Sequence, residues 1–144
     1  MSEATRIAAG ALRTGPLLAG LLDAQARDHA LTGQVALRRA AKALTAYARE
    51  LGGPVLEPVS PGGHRLAGAA LLLDDVARLR PHGQAADGQD VLLVEGAAVG
   101  PAALAAHASR MRAAGAARIW AFAADLPAGA PDVPGTDGAR FLTG

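Results

Sequence analysis

Cysteine is absent from this chain, lysine occurs once (Lys42), and aromatic residues make up only 3% of its 144 residues. Without cysteine there is no disulfide, no thiol nucleophile and no thiolate metal site. The net charge of +1 excludes nucleic-acid binding built on bulk charge. Lys42 apart, the Lys and Arg positions are all arginine, and isoleucine too is scarce, a bias that GC-rich coding explains without reference to function. No apolar run reaches about 18 residues, and the N-terminus lacks a basic-then-apolar signal pattern, so a soluble cytoplasmic chain with no membrane association is expected. His29, His64, His82 and His107 are too scattered for a zinc pattern, and no metal site is predicted.

What is present is enough apolar material for a core: 51% of residues are hydrophobic and 19% charged, the balance of a folded single small domain. Residues 1–14 read as a flexible leader, 15–126 as the α/β domain and 127–144, rich in Pro, Gly and Asp, as an irregular C-terminal segment. Thr14-Gly15-Pro16 is a turn, and Leu17, Leu18, Leu21, Leu22 and Ala26 line one face of a helix running to about residue 29. From Gln34, positions Leu37, Ala40, Ala41, Leu44, Tyr47, Ala48 and Leu51 follow helical spacing, and Gly52-Gly53 closes that helix.

Residues 54–59 read as a short strand limited by Pro58, residues 60–64 as a tight loop, and 65–73 as a buried helix. Val76 to Leu79 reads as a short strand and Pro81 to Gly88 as loop. Val91 to Val94 is a buried strand, Pro101 to Ala114 a helix with Pro101 at its first position and Gly115 just past its end. Ala117 to Ala123 is a strand apolar on both faces, as in the middle of a parallel sheet. Alternating strands and helices predict a parallel sheet flanked by helices, with ligands at the carboxyl ends of the strands. The segments 60–64 and 95–100 lie at such ends and are expected to face one crevice.

Several residues with chemical potential read as structural. Asp74-Asp75 is the only adjacent acidic pair and fits solvated charge at a helix end. His107 lies on one helical face with Leu104 and Met111 and fits the edge of a core, as Trp120 and Phe122 fit its interior. Ser60 has no acid–base partner nearby in sequence and reads as a turn residue. Glu95, at a strand end, suits either a binding site or a structural hydrogen bond.

In this order the elements resemble the type I phosphoribosyltransferases, and most of all their orotate phosphoribosyltransferase branch, over about residues 30–125. Thr32-Gly33 with Leu37-Arg38-Arg39 resembles that branch's glycine turn and helix entry. Val55 to Leu71, through Ser60, Gly62, Gly63, His64 and Arg65, resembles the strand, pyrophosphate loop and helix. Leu79-Arg80-Pro81-His82-Gly83 resembles a much shortened mobile catalytic loop, with Arg80 and His82 as its functional side chains. Gly88 to Leu104 resembles the signature strand and phosphoribosyl-pyrophosphate loop, with a pocket formed by Glu95, Gly96, Ala97, Ala98, Val99, Gly100, Pro101 and Ala102, and Met111 to Ala123 resembles the following helix end and strand.

The departures fall on the donor-gripping groups. The family signature continues from its apolar run with two acids, two apolar residues and a hydroxyl-rich Thr-Thr-Gly-Ala-Thr loop. Here Glu95 keeps the first acid, Gly96 replaces the second, Val99, Gly100 and Ala103 stand at hydroxyl positions, and Pro101 takes the place of the glycine. A hydrogen bond to a charged group contributes about 1.5–3 kcal/mol, so losing two or three weakens phosphate binding by several orders of magnitude. Pro101 also deletes an amide donor at the helix start.

The resemblance therefore implies a degenerate homologue, without the usual donor-binding activity, in a binding, regulatory or repurposed catalytic role. Two alternatives stand beside it. One is an active transferase passing ribose 5-phosphate from phosphoribosyl pyrophosphate to a nitrogen base such as orotate, with Mg as cofactor in that case alone. The other is an unrelated small-molecule enzyme that reuses the crevice. The catalytic residues are unassigned; a small-molecule ligand and a homodimer are the expected partners.

Overall fold

The computed structural model describes residues 18–23, 25, 26, 29, 33–81, 84–97, 101–125 and 132–142. The predicted leader, His82, Gly83 and residues 98–100 lie outside them. The elements run α1 (Gln34–Glu50), β1 (Val55–Pro58), α2 (Pro61–Leu73), β2 (Asp90–Ala97), α3 (Pro101–Ala113), β3 (Arg118–Asp125) and β4 (Gly138–Phe141). Residues 18–23 are helical, as their leucine spacing predicts.

Helix α1 buries the stripe Ala40, Ala41, Leu44, Tyr47 and Ala48. Its end is a Schellman cap: the Gly53 amide donates to the Ala48 carbonyl at 2.9 Å and the Gly52 amide to Arg49 at 3.1 Å. Both glycines need positive φ, at +86° and +80°. The same closure ends α3, where Ala116 donates to Met111, Gly115 donates to Arg112, and Gly115 sits at φ +97°.

All four strands are parallel and stand side by side in chain order. Val55 aligns with Val91, Val91 with Ile119 and Ala121 with Ala139. Alternation sorts the side chains into two layers. Leu56, Leu92, Val94, Trp120 and Phe122 face α1 and α2, while Val55, Val91, Leu93, Ile119, Ala121 and Ala123 face α3. Strand β3 is buried from Ile119 through Ala124, the burial on both faces expected of a central parallel strand. Fully burying a Leu, Ile or Phe contributes about 1.5–3 kcal/mol, so these two layers dominate the favourable side of folding.

The chain departs from the sequence expectations at three places. Residues 76–79 form no strand beyond a single parallel bridge between Leu79 and Leu56. Leu56 donates to the Arg78 carbonyl and accepts from the Arg80 amide, which sets Leu79 on the flank of β1 away from β2. Residues 60–64 are not a loop, because α2 begins at Pro61. The C-terminal segment is not irregular throughout, since residues 138–141 add strand β4 to β3.

From β1 the chain thus crosses one face through α2 to reach Leu79. It returns across the other face, past Ala86 packed with the α3 layer, to enter β2 on the opposite side of β1. Connections therefore leave β1 and β2 toward opposite faces. Their carboxyl ends form a topological switch point, the position at which open α/β sheets bind ligands. Among the described residues no helix is long and apolar enough to cross a membrane.

Candidate functional site

Strand β1 delivers Ser60 to the head of α2, where its Oγ accepts the Gly63 amide at 3.0 Å as an N-cap. The same hydroxyl donates to Glu95 Oε1 at the end of β2, and that oxygen also accepts the Gly96 amide at 2.8 Å. Ser60 and Glu95 are thereby joined across the switch point, so the two segments expected to share a crevice do meet. Their meeting is a structural clasp: the carboxylate holds the hydroxyl that caps the helix.

Gly62 and Gly63 are buried in the first turn of α2 rather than displayed in a loop. A Cβ on Gly63 would lie 2.1 Å from the Val94 carbonyl oxygen, so glycine is required here by the closeness of β2. The amides a pyrophosphate would need are missing at Pro61 and already engaged at Gly63 and His64, the latter donating to the Ser60 carbonyl. His64 and Arg65 project to an exposed surface. Glu95, Gly96 and Ala97 belong to β2, with Ala97 still paired to Asp125, so the expected loop does not start at Glu95. Ala102 is exposed in the first turn of α3, which opens with Pro101; Ala98, Val99 and Gly100 lie outside the described residues.

Arg80, expected on a mobile loop, is fixed. Its Nε donates to Glu57 Oε2 at 2.7 Å and its Nη2 to Oε1 at 3.1 Å, a two-pronged pair in which Arg80 is 8% and Glu57 19% exposed. A third donation reaches the Gln84 carbonyl. The Glu57 hydrogen bond holds the guanidinium pKa above its ordinary value.

These groups border an open cleft of about 810 Å³. One wall is Glu57, Pro58, Val59, Ser60, Pro61 and His64; another is Leu79, Arg80 and Pro81; the third is the flank of α3 with His107, Arg110 and Met111. His107 is half-buried and its pKa is pushed below the usual imidazole value, first by burial and then by Arg110, with Glu57 opposing. The Arg110 guanidinium, which can only donate, lies against the His107 ring within reach of both of its nitrogens. Helical periodicity places His107 beside Met111 but cannot show that this flank of α3 meets the Glu57–Arg80 pair; only the fold brings them to one cleft.

The remaining candidates are structural. Asp74 is 6% exposed, binds Arg49 at 3.0 Å and accepts the Val76 amide, while Asp75 is exposed. The pair is therefore not uniformly solvated: Asp74 fastens the end of α2 to α1. Trp120 and Phe122 are core. Among the described residues no group of three or more His, Cys, Asp or Glu side chains could hold a metal ion. No family model, curated protein or solved structure matches the chain.

Proposed function

We propose that this protein is a phosphoribosyltransferase-like domain that no longer handles the phosphoribosyl donor and holds a small molecule in its carboxyl-end cleft. The observation carrying this reading is the clasp of Glu95 by Ser60 and Gly96. Glu95 is the one acid left in the signature-like stretch, and its Oε1 is committed to internal hydrogen bonds that cap α2. The first turn of α2 supports the same reading, because Pro61 offers no amide and those of Gly63 and His64 are already taken by Ser60. The parallel sheet with its switch point between β1 and β2 supports the resemblance in layout. A homodimer belongs to the same proposal, supported by the exposure of Leu18, Leu21 and Leu22 along one helical face.

Calorimetric titration of the full chain with phosphoribosyl pyrophosphate and Mg is the test. The expected result is no saturable heat up to about millimolar ligand, a binding free energy weaker than about 4 kcal/mol. Micromolar binding that Glu95→Ala abolishes, or pyrophosphate release with orotate or another base, would overturn the proposal in favour of an active transferase.

A further inference from the structure

Arg49, Arg80, Arg112, Arg118 and Arg140 each meet a carboxylate within 4 Å. Arg110 does not, and unlike Arg38, Arg39 and Arg78, which also meet no carboxylate, it borders this cleft; among the described residues its hydrogen bonds go to His107 alone. Two groups able to carry positive charge are therefore held together on one wall of the cleft, with no anion between them. Glu57, the carboxylate that faces them from β1, is committed at both oxygens to Arg80. His64, from α2, adds a further basic group to the cleft rim. Such an arrangement is electrostatically one-sided, and a bound oxyanion is its natural complement, accepting from the guanidinium and from a protonated imidazole. Around it the walls are apolar, formed by Pro58, Val59, Leu79, Pro81 and Met111.

Resting on the reading of this cleft as a ligand site, we infer that it takes a small molecule bearing an oxyanion on a compact apolar body, the oxyanion bridging Arg110 and His107. In the empty cleft burial and then Arg110 push the His107 pKa below its ordinary value. A bound anion reverses that balance and raises the imidazole pKa, so binding takes up a proton and strengthens as pH falls. Arg110 on the same helix and Glu57 on β1 act on this imidazole, and Arg80 beside Glu57 and His64 on α2 are the other charged or titratable groups lining the cleft.

Phenyl sulfate and inorganic sulfate test this on the full chain, because neither changes charge between about pH 6 and pH 8, where histidine titrates. By calorimetry phenyl sulfate should saturate one site and bind at least about tenfold tighter than sulfate, through the apolar walls. Affinity should fall as pH rises through that window. The imidazole C–H resonances of His107, assigned with His107→Asn, should move to the protonated position on binding. Arg110→Ala should lower affinity by about tenfold or more; Arg110→Gln, which keeps the stem, should do the same if the alanine variant folds poorly. Arg39→Ala, on the exposed face of α1, should change nothing. No saturation at tens of millimolar, equal losses in the Arg39 and Arg110 variants, or unmoved His107 resonances would overturn the inference. Those results would leave the lost-donor reading intact, whereas tight phosphoribosyl pyrophosphate binding that shifts the amides of Glu95 to Ala97 would overturn that reading.

Discussion

Gly63 and Gly68 occupy the same helix and answer to different constraints. At Gly63 an added Cβ would press on the Val94 carbonyl of β2, backbone against which nothing can rotate away. At Gly68 the same atom meets nothing within 4 Å. Gly63→Ala should therefore cost about 3 kcal/mol, the upper part of the range for overpacking. Gly68→Ala should stabilise by roughly 0.5–1 kcal/mol, because alanine favours helix over glycine. Urea unfolding of the two variants separates these outcomes, and a mild Gly63→Ala would mean that β2 lies further from α2 than the structure shows. The pair also explains why the sequence misleads at this point. Two consecutive glycines read as a loop by propensity, whereas here they allow β2 to approach a helix whose start Ser60 and Pro61 already signal. Glu95 illustrates a second kind of silence: its partner Ser60 lies 35 residues away, and no local pattern announces such a clasp.

Among the elements, α1 and α2 share more than an apolar seam. Asp74, just past the end of α2, accepts from Arg49 of α1 and from the Val76 amide. These bonds, Arg49 first, hold its carboxyl below the ordinary value. A carboxylate whose folded pKa is depressed adds stability above its unfolded value, about 3.9, and loses that contribution as pH falls through the folded value. Asp74→Asn should therefore lower stability at neutral pH, with the gap to the wild-type chain closing in acid below about pH 3. Thermal unfolding across pH measures that gap, and a gap independent of pH would remove Asp74 from this role. Elements with strong periodicity and clear ends, α1, β2, α3 and β3, are legible in the sequence. Strand β4 is not. Gly-Ala-Arg-Phe is only four residues long, opens on glycine and has no β-branched residue, and it is specified by what receives it. Asp137 exchanges backbone and side-chain bonds with Ile119, and Arg140 lies over the Tyr47 ring, 4.4 Å from its centroid, while pairing with Glu50.

For the molecule as a whole, those contacts mean that the C-terminal strand ties the sheet margin back to α1. A chain ended after Gly135 loses β4, the Asp137 bonds and the Arg140 bridge together. Its unfolding midpoint should drop by roughly 5 °C or more, since each kcal/mol lost moves the midpoint of a chain this size by about 4 °C. Calorimetric melting decides it, and an unchanged midpoint would show that β4 adds nothing to the fold. The parallel layout and the location of a crevice at the strand ends follow from the alternation of elements and are readable at the outset. The occupants of the crevice are not, because Glu57, Arg80, His107 and Arg110 come from segments that only the return past Ala86 brings together.

The opposite margin of the sheet carries a consequence of its own. Odd-numbered amides near β1 turn toward β2, as Val59 does in donating to Val94, and even-numbered ones turn outward. Pro54 and Pro58 have no N–H, so Leu56 is the sole outward donor, and the Arg78 carbonyl already accepts from it. One borrowed residue, Leu79, is thus enough to seal that border. A foreign β-segment approaching β1 from another polypeptide would find no unclaimed amide on that strand to zip onto, which guards it against template-driven aggregation.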